Sequence, residues 1–548
     1  MTMAKPAAPK PAPAAQPGTL FRKILVANRG EIALRVMRTA RELGIQTVAI
    51  HSPQDAKAPH VRFADEAYLL GNEASSSNYL DIPLIVETAQ KAGADAVHPG
   101  YGFLSERSEF ATALGKAGIK FIGPPPKPID VLGDKVASKV VARKAGVPVV
   151  PGKDEFVADL AGAKEVVKIT GYPVIIKAAF GGGGMGMQVV HNEAELAGAL
   201  AATQRQAKAA FGRGEVFIEK FIQKPRHIEF QFLADEHGNV VHFGERECSV
   251  QRRHQKLIEE APSPALKAED RVRVGAAVCR LAKDVGYWNA GTAEFLYDVG
   301  DPAKPQLYFN EVNTRLQVEH PVTEQVYGVD LVREQIRIAA GEPLGYDQAW
   351  VDARRRGWAI ECRINAEDPK NKFMPTPGFI NRHIPPNGNG VRVDTYLYSG
   401  FTVPSTYDSM VAKLIAYGAD RPEAIRKMRR ALAEYDLGNL VTNRELHQVI
   451  FEDEAFCAGD MTTRFLDERR ILERLMGVEE AASEETKRKL AALAAALSQE
   501  PGGIDALVLK NYTVKQSTAK NVGVDEYGRR RLSAWGRRGR YETQGRGP

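Results

Sequence analysis

Along residues 308–324 the chain reads Y-F-N-E-V-N-T-R-L-Q-V-E-H-P-V-T-E, with polar and apolar positions alternating. Glu311, Asn313, Arg315, Gln317 and Glu319 are polar, while Val312, Leu316 and Val318 are apolar and Thr314 is intermediate. In an extended backbone, side chains two apart share a face. Carboxylates, carboxamide and guanidinium would then line one surface, with valine and leucine packed behind. A solvated amphipathic strand alternates in the same way. This run, however, is rich in Glu, Asn and Gln and poor in lysine, which favours a site.

The same pattern divides the rest of the chain. K-I-L-V-A-N at 23–28, T-V-A-I-H at 47–51 and A-D-A-V-H-P-G at 94–100 are β-rich, and a helix opens at Arg29-Gly30-Glu31. Strand, helix and strand in alternation predict a parallel sheet with crossover helices. Its first turn has one glycine and not G-x-G-x-x-G, so a dinucleotide cofactor is not supported. His98-Pro99-Gly100-Tyr101-Gly102-Phe103 follows a strand end, where open α/β sheets place their sites; a Pro/Gly turn with an aromatic plug is an equal reading. Gly123-Pro124-Pro125-Pro126 marks a domain edge. Lys135 and Lys139 then start a helix, and a strand ending in Lys177 runs into a loop of five glycines before the next strand. No G-K-[ST] closes that loop, so it is no Walker A. A phosphate lid is favoured over a plain glycine hairpin.

Residues 214–222 form a strand ending in Glu219 and Lys220, and 225–247 a long hairpin about residues 235–239. Arg252, Arg253, His254 and Lys256 cluster at its far end, which suits a small anion or phosphate better than nucleic acid, since no aromatics interleave. Residues 290–297 make a strand that a loop joins to the 308–324 run. Glu294 and Glu311 would then sit on neighbouring antiparallel strands and face each other. With Asn313 they offer hard oxygen donors of the kind Mg²⁺ takes alongside phosphate and water. A helix at 329–340, β-rich segments at 361–369 and 379–418 and a helix at 422–436 complete a third, mixed region. Arg363 there has acids beside it and reads equally as an ion-pair partner. Past residue 470 the character changes: Ser483 caps a helix with Leu490, Leu493 and Leu497 on one stripe, and an Arg/Gly tail follows.

Composition narrows the class. With 548 residues, 44% apolar and 26% charged, the chain is an ordinary globular sequence of about three domains. The net charge of +6 belongs to the ends: two lysines precede residue 20, and seven arginines face three acids over 525–548. The body between is near neutral and gives no electrostatic argument for nucleic-acid binding by the fold. No run of 18 apolar residues argues for a membrane span. The Pro/Ala-rich start has no apolar core of a signal peptide and reads as a disordered leader. Four scattered cysteines without C-x-x-C fit a reduced, cytoplasmic protein.

Six motifs carry a resemblance: R-G-E-I-A, H-P-G-Y-G-F-L-S-E, I-I-K-A-x-x-G-G-G-G, Q-R-R-H-Q-K, N-T-R-L-Q-V-E-H-P-V-T-E and E-C-R-I-N-A-E-D-P, in that order. From about residue 21 to 467 the chain closely resembles biotin carboxylase, the ATP-grasp subunit of biotin-dependent carboxylases. The resemblance implies an α/β and α+β architecture: a Rossmann-like parallel sheet at 20–133, an ATP-grasp domain with a glycine lid at 134–342, and a C-terminal mixed α/β biotin carboxylase domain at 343–470. The disordered leader at 1–19 and the helical extension with a basic tail at 471–548 are read from composition and lie outside the resemblance.

It also implies that Mg-ATP phosphorylates bicarbonate to carboxyphosphate, which delivers CO₂ to biotin on a separate carrier. Lys135, Lys177 and His227 would hold ATP phosphates or ribose, Gly183 and Gly184 would belong to the lid, and Glu219, Lys220, Phe221 and Ile222 would form the hinge against adenine. His254 would also contact the nucleotide. Glu294, Glu311 and Asn313 would ligate a pair of Mg²⁺ or Mn²⁺. Lys256, Arg315, Gln317 and the Val318 amide would bind bicarbonate, Glu319 would be its base, and Arg363 would stabilise the biotin enolate. The implied partners are a second copy of the chain, a biotin carboxyl carrier protein and a carboxyltransferase subunit. The chain lacks the Met-Lys-Met biotinyl motif.

Departures from the family pattern are Met185 in the lid, Asn310 before Glu311, and an insertion at 299–306. Two competing readings are another ATP-grasp ligase, disfavoured by the last two motifs, and an assembly or nucleic-acid-binding subunit that uses the tail.

Overall fold

The computed structural model describes residues 20–71, 75–153, 155–178, 186–300 and 305–477. The leader, residues 179–185 of the glycine loop (Gly183, Gly184 and Met185 included), the helix expected after Ser483 and the basic tail lie outside the described residues, as does the side chain of Lys135. The elements below belong to a compact unit that ends at Leu472. No helix among the described residues is long and apolar enough to cross a membrane.

Strands β1 (Lys23–Val26), β2 (Gln46–His51), β3 (Glu66–Leu69), β4 (Ala96–His98) and β5 (Lys120–Phe121) form the first sheet, in the order β3-β2-β1-β4-β5. Every pairing is parallel, with helices α1 (Gly30–Glu42) and α2 (Ile82–Ala92) among the crossovers. Ile24, Val26, Val48, Ile50 and Val97 are fully buried, as expected where helices cover both faces. The end of β1 locks the turn after β4. Asn28 Nδ2 donates to the carbonyls of Pro99 and Tyr101, both at 2.8 Å. Gly100, at φ +65°, lets the two segments meet: a Cβ there would lie 2.8 Å from Asn28 Nδ2.

Helix α3 (Lys135–Lys144), capped by the Asp134 side chain, precedes a small antiparallel sheet of β6 (Val174–Ala178), β7 (Met187–Val190) and β8 (Val216–Lys220), ordered β7-β6-β8. The central sheet comes next in the chain. It contains β9 (Pro225–Ala234), β10 (Val240–Arg252), β11 (Gln255–Ala261), β12 (Asn289–Asp298), β13 (Gln306–Asn313), β14 (Trp358–Asn365), β15 (Val391–Thr395) and β16 (Met410–Gly418). These eight strands run β13-β12-β9-β10-β11-β14-β16-β15, all antiparallel. Strand β14 hydrogen-bonds to β11, so one sheet continues from the middle of the chain into its C-terminal third.

One face of β9, β12 and β13 is aromatic. Phe230, Phe295 and Phe309 meet edge to face with centroids 5.5 and 6.1 Å apart, and Val274, Val278 and Leu281 of α4 (Ala268–Asp284) join the same core. The other face is polar. Polar residues on alternate positions of these strands therefore have only one place to go.

The expectation of one extended run through residues 311–319 is corrected. Strand β13 stops at Asn313, residues 314–319 turn, and helix α5 (His320–Tyr327) starts with Pro321 in its first turn. Proline brings no N–H for a ladder and a φ suited to a helix start. A second irregularity lies just upstream. Phe309 pairs with Phe295 and Glu311 with Glu294, so Asn310 is the extra residue of a β-bulge. Because of the bulge, Phe309 faces the core while Glu311, two residues on, faces the opposite side.

Candidate active site

Four ionisable residues stand in register across four strands. Arg246 on β10 opposes Glu229 on β9, Glu229 opposes Glu294 on β12, and Glu294 opposes Glu311 on β13. Cross-strand partners share a face, so three carboxylates form a row on the polar side of the sheet. Such a row requires cations. Arg246, fully buried, donates from Nε to Glu229 Oε1 at 2.5 Å and from Nη1 to Gln231 and Thr323 at 2.9 Å. Lys256 Nζ, entering from β11, reaches Glu229 at 2.5 Å, Glu319 at 2.7 Å and Glu294 at 2.9 Å. The Arg253-His254 turn that delivers Lys256 has φ of +48° and +67°, the left-handed values of a tight hairpin.

Glu319 is the most enclosed of these acids. It is fully buried, with Oε1 on Lys256 and Oε2 accepting from Arg363 Nη2 at 2.9 Å. Burial pushes its carboxyl up, but Lys256, Arg363 and Arg246 outweigh burial and hold it well below the usual carboxylate range. Glu294 behaves alike: burial opposes ionisation, and Lys256 and His227 overcome it. His227 Nε2 lies 3.2 Å from Glu294; burial disfavours its charge, but Glu294 raises it above the ordinary histidine value. Lys256 is held well above the normal lysine range, since Glu229, Glu294 and Glu319 together exceed the cost of its burial.

The turn at 314–319 adds a second set. Arg315 donates to Asn313 Oδ1 at 2.9 Å, to Gln317 Oε1 at 3.1 Å and to Glu106 at 3.0 Å. Asn313 Nδ2 donates to Glu294 at 2.8 Å. Lys413, fully buried, holds the turn by donating to the Val318 carbonyl at 3.0 Å.

A cavity of about 660 Å³ opens onto these groups. Its wall includes His227, His254, Lys256, Glu294, Glu311, Asn313, Arg315, Gln317, Val318 and Arg363. Glu319 stands one layer back, reached through Lys256 and Arg363. Lys177, Glu219 and Lys220 sit apart, on the small sheet, where Glu219 pairs with Lys139 and, at 2.9 Å, with Lys177. The Phe221 amide donates to the Pro173 carbonyl at 3.0 Å, and Ile222 is buried beside it. Of the cation cluster at 252–256, Lys256 joins the acids, while Arg252 lies over the Phe373 ring, 3.7 Å from its centroid, and pairs with Glu367.

Three site residues escape a reading of the sequence: Glu229, Arg246 and Glu106. A signal for the first exists, because Glu229 and Gln231 alternate with Ile228, Phe230 and Phe232 inside a strand. Arg246 is its register partner. Glu106 comes from the turn after β4 and is more than 200 residues from Arg315 in sequence.

The donor set fits a divalent metal. Glu294 and Glu311 oppose each other at the cavity wall with Asn313 beside them, all oxygen donors suited to Mg²⁺. His227, Glu229 and Glu294 also present one imidazole nitrogen and two carboxylate oxygens within 4.8 Å of one another. Without a metal, Lys256 supplies the positive charge that these carboxylates need.

Comparison with known proteins agrees with this geometry. Residues 20–129 match the model "Biotin carboxylase, N-terminal domain", 134–346 match "Carbamoyl-phosphate synthase L chain, ATP binding domain", and 361–468 match "Biotin carboxylase C-terminal domain". A pyruvate carboxylase subunit of Methanothermobacter thermautotrophicus is 54% identical over 451 residues, covering 82% of this chain and 90% of that protein. Biotin carboxylase of Haemophilus influenzae is 50% identical, covering 82% of this chain and 99% of its own. The biotin carboxylase domain dimer of Hydrogenobacter thermophilus 2-oxoglutarate carboxylase, solved with MgADP, ADP and bicarbonate, superposes with a TM-score of 0.78. It is 48% identical and covers 83% of this chain and 99% of that one. The charged row, the cavity it faces and these relatives agree: the chain belongs to the biotin carboxylase family and is an ATP- and Mg²⁺-dependent ligase that carboxylates biotin with bicarbonate.

Proposed function

We propose the following division of labour among the residues. Glu294, Glu311 and Asn313 hold the metal, which neutralises phosphate charge during phosphoryl transfer. Lys135, Lys177, His227, His254 and residues 219–222 hold the nucleotide, with Gly183 and Gly184 closing over it. Lys256, Arg315, Gln317 and the Val318 amide bind bicarbonate, Glu319 takes its proton, and Arg363 steadies the negative charge that develops on the biotin ureido oxygen. The division follows three regions, 20–133, 134–342 and 343–470.

One observation carries this reading: Glu319 is held between Lys256 and Arg363 directly behind the cavity wall. Paired with two cations, it is a poor base. Bicarbonate arriving among Lys256, Arg315 and Gln317 draws cationic charge onto its own oxygens. The Glu319 carboxylate then loses counter-charge and its proton affinity rises as the nucleophile needs it. The bicarbonate O–H bond breaks as the Glu319 O–H bond forms, and the dianion is left among fixed cations.

The biotin comes on a separate carrier protein, and a carboxyltransferase subunit uses the product. The chain works as a dimer, like the Hydrogenobacter domain, in a reducing, cytoplasmic setting that suits four free cysteines. The test is ADP release by the purified chain with Mg²⁺, as a function of bicarbonate and biotin. In E319Q, biotin carboxylation falls by about 10²-fold or more while nucleotide still binds. Near-wild-type turnover in that variant rules out Glu319 as the base.

A further inference from the structure

Behind Arg363 lies a pair of acids that the reaction described above does not use. Glu259 on β11 and Glu361 on β14 are direct register partners of an antiparallel pair, and both are fully buried. Their side chains therefore share a face, with Cβ atoms about 5 Å apart. Arg363 Nε donates to Glu259 Oε1 at 2.5 Å, while its Nη2 reaches Glu319. The other three oxygens, Glu259 Oε2 and both of Glu361, have no hydrogen-bond partner among the described residues.

The surrounding charges do not supply one. Lys413, opposite Arg363 on β16, donates to the Val318 carbonyl and pairs with Glu31 at 3.1 Å, with Asp394 at 3.8 Å. Lys256 is occupied by Glu229, Glu294 and Glu319. From the N-terminal sheet Tyr101 donates to Glu31, and on α5 His320 Nδ1 meets the Gln317 carbonyl. Two ionised carboxylates buried side by side, with the guanidinium hydrogen-bonded to Glu259 of the two, are strongly disfavoured, and one of them takes a proton. A single proton on Glu361 gives two of the three orphan oxygens a partner, because its O–H can then donate to Glu259 Oε2. Burial drives Glu361 well above the ordinary carboxyl range and Glu259 upward as well, with Arg363 opposing the second.

We propose that Glu259 and Glu361 share one proton, and that this acid pair positions the Arg363 guanidinium for the biotin half of the reaction. Glu259, kept ionised and oriented by the Glu361 O–H, anchors Nε and leaves the Nη2 edge turned to Glu319 and the cavity. If the shared proton leaves, a second negative charge beside Arg363 pulls the guanidinium back from the cavity. Glu361 is thus a positioning residue. The inference rests on the reading of Arg363 given above.

The test uses the full chain with free biotin and the variants R363Q, E361Q and E361L. R363Q tests the underlying reading: kcat/KM for biotin falls at least about tenfold with nucleotide binding kept. If R363Q is unimpaired, the role of Arg363 fails. Given an impaired R363Q, E361L also loses about tenfold in kcat/KM for biotin, with KM for ATP within about twofold of wild type. E361Q, whose carboxamide donates to Glu259 in place of the O–H, recovers most of that loss near neutral pH. Wild type loses kcat/KM for biotin on the alkaline side, and E361Q lacks that limb. Infrared difference spectra of wild type against E361Q, which need no activity, show a carboxylic-acid carbonyl band only in wild type. An unchanged alkaline limb in E361Q, or no such band, overturns the proposal.

Discussion

Glu319 and Glu324 stand on either side of the start of α5, and each is buried between two cations. Glu319 lies between Lys256 and Arg363; Glu324 lies between Arg35 and Arg392, both at 2.7 Å, and also accepts from the Leu331 amide at 2.9 Å. Burial raises both carboxyls, and in both the cations win and lower them. By burial, partners and titration the two are twins. The difference is what the cations touch. Lys256 and Arg363 line the cavity, whereas Arg35 continues to Asp330 and Arg392 to Asp394, away from it. A buried carboxylate between two cations is thus no sign of chemistry by itself; one whose cations line a cavity is.

The largest test of that contrast removes a shared cation. K256M leaves Glu229, Glu294 and Glu319 facing one another, and both properties suffer: carboxylation falls by about 10²-fold or more, and stability in urea falls by about 3–5 kcal/mol. E324Q strikes the network away from the cavity instead. It costs a similar 3–5 kcal/mol or so in urea unfolding, yet turnover per folded molecule stays within about threefold of wild type. A comparable loss of kcat in E324Q would erase the distinction between the two networks.

Acid provides a third test. Glu324 titrates below its unfolded value of about 4.3, so its stabilisation is complete above that pH and is lost as pH falls through the depressed folded value. The difference in stability between wild type and E324Q is therefore constant from neutral pH down to about 5 and shrinks below about 4. The smallest effect belongs to Glu106, whose side chain is 40% exposed where it meets Arg315. E106Q changes KM for bicarbonate by no more than about fivefold, as suits a surface ion pair worth about 1 kcal/mol or less.

Much of this is legible in the sequence. Short apolar runs alternating with a helix place the parallel sheet, and the polar residues of two hairpin strands place Glu294 opposite Glu311. The cations at 252–256 stand out as a cluster, but only the family resemblance singles out Lys256 among them. What stays hidden depends on the third dimension. Alternation at 311–319 resembles one strand because Leu316 is buried in a turn as fully as it would be in a sheet. Glu229 is inconspicuous because one acid in a long hairpin looks solvated until its register partner, Arg246, is known. Glu106 cannot be found by spacing at all, because it reaches Arg315 from beyond the other sheet.

The bulge at Asn310 is a phase slip, and it reaches further than its size. Ahead of it the odd positions Leu307 and Phe309 belong to the core; past it the even position Val312 does, and the odd positions Glu311 and Asn313 line the cavity. Had the ladder run through without the slip, Asn310 would stand opposite Glu294 and Glu311 would enter the aromatic core. A strand one residue too long thus keeps its acid in the row by discarding the surplus at a single point. Removing Asn310 altogether would restore a regular ladder with Glu311 still opposite Glu294, whereas removing a residue beyond Glu311 would turn Asn313 away from the cavity.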